Sequence, residues 1–451
     1  MEFDKCPLMP LVQDIIATGA NEPTLKYSAL IWYSETEYVE PLRVVSVDNI
    51  SNFLTNFTDG IVLTMAVTTG KLAYKLAPNR ETLTVELNVS SSAFLPDTSE
   101  RDSPSYVERF KAIMINVEDD LANQYSSALA NEFKLDLFDF KLVKFQLLSE
   151  YVEQLRKVTF GTNFIESKVT DMIKTAIHTA GEKIEAKTPF KGIVMNGTPR
   201  EAPDRQTMIP HGTRLVDIPK YLQESQRGVF GSGLSSYYRD GYWYIWPSYD
   251  TTRFTKEEIK LTIINVPQTR FPGMERTFKY DGNNLTIVTT GETKTADMSD
   301  IFQANKGNAS RTLSASSLAG TTDAAETKNN KTFNKPSKAV SEVMSTERKK
   351  DQLLNYRERI KVTDNVLNEL SKSAVSNGRM FSFVWEHSDH SAIIPGMPCR
   401  LMYWDGEKTV INDGVVVGMQ SYTHPAGGNI LRGRHATVSG VYVFMSKEEP
   451  S

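Results

Sequence analysis

The chain has little of what most simply announces a function. Its 451 residues contain two cysteines, Cys6 and Cys399. That rules out a disulfide scaffold and points to synthesis in a reducing cytoplasm. There is no basic excess: 51 Lys and Arg stand against 55 Asp and Glu, a formal charge of −4. A dedicated nucleic-acid binder draws affinity from clustered cations that neutralise phosphates, and no basic arm is present. Long apolar runs are missing too. The densest, Ile61 to Val67, falls far short of the ~20 residues that span a bilayer. The opening Met1-Glu2-Phe3-Asp4-Lys5 carries acid where a secretory peptide carries base, and no apolar stretch follows. Asn56 and Asn284 head glycosylation-type triplets that mean nothing without export. A soluble intracellular product with no membrane span is expected.

Catalytic signatures are equally scarce. The six histidines are His178, His211, His387, His390, His424 and His435. His387 and His390 have the look of a metal pair, yet on a strand they would point to opposite faces, and no third ligand is suitably spaced. Gly228, Gly231 and Gly233 around Ser232 suggest a phosphate loop, but neither a dinucleotide fingerprint nor a Lys-Ser/Thr pair accompanies them. No Gly-x-Ser-x-Gly elbow exists to anchor a Ser-His-Asp hydrolase. Asp119-Asp120 and Asp136/Asp139 read as solvated edges, although carboxylates that meet only in space leave no spacing to read. The expectation is no enzyme: no catalytic residues, no cofactor, no metal.

What the chain does contain is strand material. Hydrophobic residues make up 40% and charged residues 24%, a globular composition, and the length calls for several modules. Leu25–Tyr33, Val39–Val47, Gly60–Thr68, Lys71–Leu76 and Thr82–Val89 read as strands, the last alternating polar and apolar residues. Further strands are expected near residues 108–117 and 138–145, followed by a helix over Leu147–Val158. A longer helix is expected from Ile165 to Ile184, with Val169, Met172, Ile173, Ala176, Ile177 and Ala180 on one face. Asn163 and Glu166 resemble its capping box. Pro219 marks another helix start. The aromatic block Tyr237, Tyr238, Tyr242, Trp243, Tyr244 and Trp246 has few flanking cations, so core or subunit interface is the expected use rather than base or sugar stacking. Leu261–Val266 and Leu285–Val288 follow as strands. Residues 303–344 are rich in Ser, Thr, Ala, Asn and Lys and predict a linker or extended loop. Residues 343–373 have a polar helical pattern, and residues 379–447 are four strands.

The last module carries a resemblance. Pro395-Gly396-Met397-Pro398 leads into a strand, and Gly414, Val416, Gly418 and His424 mark the return. This order resembles the hub proteins of tailed-phage baseplates and related contractile injection machines. Asn56–Gly60 leading to Tyr74–Arg80 resembles that family's first tube-type barrel. Ile209–Tyr221, the aromatic block and Val266-Pro267 resemble the start of its second.

The resemblance implies a mainly β, α+β chain with two tube-like β-barrels and a small C-terminal β-barrel. Its expected units are residues 1–100 (first barrel), 101–190 (α/β insertion), 191–290 (second barrel, first part), 291–350 (linker) and 351–451 (helix plus C-terminal barrel). It implies a homotrimeric virion protein that adapts a six-fold tail tube to a three-fold spike. The implied partners are the tail tube, central spike, tape-measure and baseplate wedge proteins. Genomic DNA would pass through without specific binding, with Asp48, Asp59 and Glu81 as acidic candidates for a channel wall. The alternatives are a receptor- or glycan-binding virion protein and a virion-associated cell-wall hydrolase.

Overall fold

The computed structural model describes residues 7–17, 25–91, 105–115, 140–184, 190–224, 226–267, 276–290, 378–425 and 434–446, with short pieces between 311 and 375. The architecture is mainly β with few helices, and most strands join one large mixed sheet.

Strands β1 (Leu25–Trp32), β2 (Tyr38–Val39), β3 (Arg43–Asn52), β4 (Gly60–Thr68), β5 (Thr84–Ser91), β6 (Ser105–Ile115) and β7 (Phe140–Ser149) open the sheet. They pair antiparallel in the order β3-β4-β7-β6-β5-β1. Alternation decides which side each residue takes. On β7, Val143, Phe145 and Leu147 are buried, and the residues between them face out. These inward residues join Ile31, Val44, Leu63, Met65, Val67, Val85, Leu87 and Phe110 in a first core. Between β4 and β5 the chain makes a helical turn over residues 69–79, not the strand expected at Lys71–Leu76. Leu72 and Leu76, four residues apart, are both buried, and that spacing overrides the apparent alternation.

A helical insertion follows, with α2 (Glu150–Leu155), β8 (Thr159–Ser167), α3 (Val169–Gly181), β9 (Gly192–Met195), β10 (Asp204–Arg214) and α4 (Ile218–Glu224). The expected long helix is shorter. Residues 159–167 pair with β10, and Ile165 stands exposed on that ribbon instead of starting the helix. Asn163 and Glu166 therefore lie in a strand and cap nothing; Lys168 is the residue before α3. Likewise Leu147 belongs to β7, so the helix expected over Leu147–Val158 shrinks to α2. Pro219 sits in the first turn of α4, where its missing N–H costs nothing.

Strands β11 (Leu234–Arg239) and β12 (Tyr242–Pro247) form a hairpin with both turn residues at positive φ, Asp240 at 54° and Gly241 at 87°. Then come β13 (Lys260–Val266), β14 (Phe278–Asp281) and β15 (Asn284–Thr290). Within the segment expected as a linker, short strands β16 (Arg311–Ser314), β17 (Thr332–Pro336) and β18 (Ser341–Ser345) pair with one another, and β16 also pairs with β19 (Arg357–Glu358). The rest of that segment, and most of the expected helix at 343–373, lies outside the described residues.

The C-terminal strands β20 (Gly378–Trp385), β21 (Pro398–Trp404), β22 (Thr409–Pro425) and β23 (Arg434–Ser446) do not stand apart as a small barrel. β22 and β23, 17 and 13 residues long, pair with each other and run through two strand circuits. One end of the hairpin meets β3 and β1, closing the ring β22-β3-β4-β7-β6-β5-β1-β23. The other end meets β21 and β20, closing β22-β21-β13-β15-β20-β23. The strands of the second ring pack in a core of their own with Trp246 of β12, around Ile263, Ile287, Trp385, Leu401, Val443 and Phe444. A register shift between Val416 and Gly418 lets β22 change circuits. Helix α1 (Met9–Ala17) lays Val12 and Ile15 over Ile264, Val266 and Val288 on the outside of the second ring.

Candidate functional site

Where the two circuits meet, the apolar interior gives way to a polar group assembled from distant parts of the sequence. Asp59 precedes β4 and is nearly enclosed. Its Oδ1 accepts a hydrogen bond from the Tyr237 hydroxyl at 2.7 Å and another from Ser51 Oγ. Its Oδ2 lies 3.3 Å from Arg239 Nε. The Arg239 guanidinium also donates to the backbone oxygens of Ile393 and His390, each at 2.9 Å. The His390 ring reaches Ser421 Oγ at 2.8 Å through Nδ1 and Ser51 Oγ at 3.3 Å through Nε2. From Ser421 the chain of hydroxyls continues to Ser439 at 2.8 Å and then to Ser388 at 2.6 Å.

The electrostatics follow from burial and charge. Burial alone would push the Asp59 carboxyl up, but the Arg239 cation, the His390 ring and the bonds from Ser51 and Tyr237 outweigh it and hold Asp59 below the usual carboxylate range. Burial and the Arg239 charge push His390 down to about 3, against the pull of Asp59. His390 is therefore neutral at physiological pH. One buried cation and one buried carboxylate remain, and they satisfy each other.

The set holds a serine, a histidine and an aspartate, yet it is not arranged for acyl transfer. In a nucleophilic triad the carboxylate orients one ring nitrogen while the other activates the hydroxyl. Here both ring nitrogens end on hydroxyls, and Asp59 Oδ1 stands 4.0 Å from Nε2. Ser51 and Ser421 are buried, so neither presents a nucleophile to a substrate. The arrangement suits a polar joint between sheet circuits. Spacing could not reveal it, because its members run from Ser51 to Ser439.

The motif turn packs against the second core, whereas His424 lies near the other end of β22. Ile394-Pro395-Gly396-Met397 is a tight turn closed by Met397 N–H donating to Ile394 O at 3.2 Å, with Gly396 at φ 71°. A Cβ on Gly396 would come within 2.2 Å of the Trp246 ring. Arg253 donates to the Gly396 oxygen at 2.6 Å and pairs with Glu257 at 2.8 Å. Met397 O accepts from Val416 N–H at 2.9 Å. Pro398 pairs with Val415 at the start of β21, and His424 pairs with Ala436 near the end of β22. Gly414 and Gly418 allow close backbone approach: a Cβ would lie 2.3 Å from Phe444 O and 2.8 Å from Ser51 O, respectively. The turn thus docks on the aromatic hairpin, and the glycines let the long hairpin pass between circuits.

Of the six aromatic interface candidates, Tyr237, Tyr238, Trp243 and Trp246 are packed inside the chain. Tyr237 and Trp246 meet Phe53 in the second core, and Tyr238 stacks on Tyr151 at 4.9 Å in the helical insertion. Tyr242 and Tyr244 keep open surface. His387 lies in a turn at φ 49° and His390 begins a short 3-10 turn, so the reasoning about opposite strand faces does not apply to that pair. No group of three metal-ligating side chains occurs among the described residues. No helix among them is long and apolar enough to cross a membrane. Asp59 is spent inside the joint, whereas Asp48 and Glu81 retain surface.

No protein-family model matches the chain, and no curated protein matches it in sequence. Solved structures align with it along nearly its whole length. The tail protein from Neisseria meningitidis is 9% identical, with a TM-score of 0.45, over 93% of this chain and 96% of that one. The 43 kDa tail protein of prophage MuSo2 from Shewanella oneidensis is 8% identical, with a TM-score of 0.46, over 94% and 96%. A component of the E. coli type VI secretion system is 7% identical, with a TM-score of 0.41, over 91% and 77%.

Proposed function

We propose that the chain is a non-enzymatic structural subunit of a phage tail baseplate, a hub whose three copies form a ring between tail tube and spike. The observation that carries this reading is the shared hairpin. Two closed strand circuits joined by β22 and β23, which belong to both, make a rigid two-lobed unit. Three such units in a cycle present six lobes, which is what an adaptor between six-fold and three-fold symmetry requires. On this reading the two circuits are the two tube-like barrels, and the C-terminal strands complete both.

The joint supports a structural role, since its Asp59, Arg239 and His390 are consumed in holding the two circuits together. The hub reading brings with it the tail tube, spike, tape-measure and wedge proteins as partners, the virion as location, and DNA as a passenger. Electron microscopy of the purified protein tests it. Top views should show a ring of six lobes around a channel, and particles without three-fold symmetry would overturn the reading.

A further inference from the structure

Strands β8 and β10 make a sheet of their own, a two-stranded ribbon whose inner face packs on the helical insertion through Phe160, Phe164 and Ile209. Such a ribbon has two edges, and each is a row of backbone N–H and C=O groups that needs a partner or protection. The two edges differ. On β10, Pro210 offers no N–H, the register slips between Ile209 and Thr213, and the Tyr221 hydroxyl of α4 donates to Met208 O at 3.1 Å. The stretch of β8 from Thr159 to Ile165 has none of these devices. It contains no proline and no charged residue, and the extra residues of the register slip all lie on β10.

The pairing also shows which way the backbone groups of β8 point. Asn163 stands opposite Met208, and Ile165 stands opposite Gln206. Met208 O accepts from Tyr221, and Ile165 O accepts from Ser167 Oγ at 2.9 Å, so both carbonyls are turned away from the ladder. Bonded and non-bonded pairs alternate along antiparallel strands, which leaves the ladder bonds to Phe164 with Thr207 and to Thr162 with Ile209. The N–H and C=O of Asn163 and the N–H of Ile165 therefore face the open edge. Among the described residues, no backbone group beyond the ribbon bonds to them.

The side chains above this edge suit a strand as well. Asn163, Ile165, Gln206 and Met208 share the outer face, and none is charged. Ile165 and Met208 are diagonal neighbours, 69% and 60% exposed, more than any other large aliphatic side chain among the described residues. Glu166, at φ 48°, ends the regular edge. Thr159 to Ile165 is left, about 20 Å of strand at about 3.4 Å per residue.

We propose that β8 is a strand-addition site, where an extended, uncharged segment of another protein pairs along Thr159–Ile165 as the third strand of the ribbon. Backbone bonds would supply the pairing, and apolar side chains at alternate positions of the partner would lie on Ile165 and Met208. An uncharged edge beneath an uncharged face carrying two exposed aliphatics fits a neutral strand better than a charged one. The site lies outside both strand circuits and stands whether or not three copies form a ring.

Fluorescence anisotropy with a labelled Lys-Thr-Val-Thr-Val-Thr-Val-Lys peptide tests it, against the same peptide N-methylated at every central amide. N-methylation keeps the side chains and removes the donors. Wild type should bind the plain peptide saturably and the N-methylated one about tenfold more weakly or worse, the loss of one or two backbone hydrogen bonds. Asn163→Pro removes an outward N–H without touching the ladder, and Ile165→Lys sets a charge at the edge; each should weaken the plain peptide about tenfold or more. Thermal unfolding confirms that each variant is folded, and Ile165→Lys carries the test if the proline variant is not. A wild type that binds neither peptide, or both alike, would overturn the proposal, as would variants that bind like wild type. A wild-type dimer that Ile165→Lys dissociates would assign the edge to a second copy of this chain and overturn the choice of partner.

Discussion

Replacing Arg239 by Met tests the joint between the circuits. The change leaves Asp59 buried with its cation gone, and it strips a donor from the carbonyls of Ile393 and His390. Removing one member of a buried ion pair costs about 3–5 kcal/mol, and an abandoned buried acceptor costs on the order of 1–3 kcal/mol. These overlap, because the carboxyl can take up a proton, so about 4 kcal/mol is expected at pH 8. The loss should shrink near pH 5. With Arg239 gone, burial still pushes the Asp59 carboxyl up against the weaker pull of His390, Ser51 and Tyr237, and protonating it removes the uncompensated charge. Changing Asp59 to Asn as well removes both charges, and the double variant should lose less than about 2 kcal/mol. Urea unfolding followed by tryptophan fluorescence at one fixed protein concentration gives the three numbers, with assembly held constant. A single-variant loss under about 1 kcal/mol, or losses that simply add, would refute the joint.

Three further outcomes follow. Gly396→Ala should cost about 3 kcal/mol or more in thermal unfolding, since Gly396 has φ 71° and a Cβ there would lie 2.2 Å from Trp246. Glu108 is pushed up to about 8 by burial and then by Asp240, against a hydrogen bond with Ser149. Because its folded value lies above its unfolded one, its contribution is complete below about pH 4.5 and is lost as pH rises toward 8. Glu108→Gln should therefore flatten the fall in Tm between pH 5 and 8, and an unchanged slope would assign the fall to other groups. Duplex DNA should show no measurable binding at physiological salt; micromolar affinity with a steep salt slope would contradict passage without binding.

Much of the strand content was legible because alternation along a half-buried strand is local, as in β1, β4, β13 and β21. The errors share a cause. Residues 165–167 read as the start of a helix because Ile165, Val169 and Ile173 keep helical spacing, while pairing of the strand with β10, some forty residues on, decides the outcome. The closure of two rings by one hairpin is invisible to local pattern, since β22 meets β3 across more than 360 residues. Asp59 and His390 drew attention for other uses, a channel wall and a metal pair, and no spacing links them to each other or to Arg239. The aromatic block drew attention by its density, yet most of it fills cores.

The central claim is the three-copy ring, and the native mass of the intact protein tests it most directly. A single species at three times 50.7 kDa, persisting on dilution to micromolar concentration, is the predicted result. A chain that stays at 50.7 kDa at high concentration, or that assembles with two-fold stoichiometry, would contradict the account.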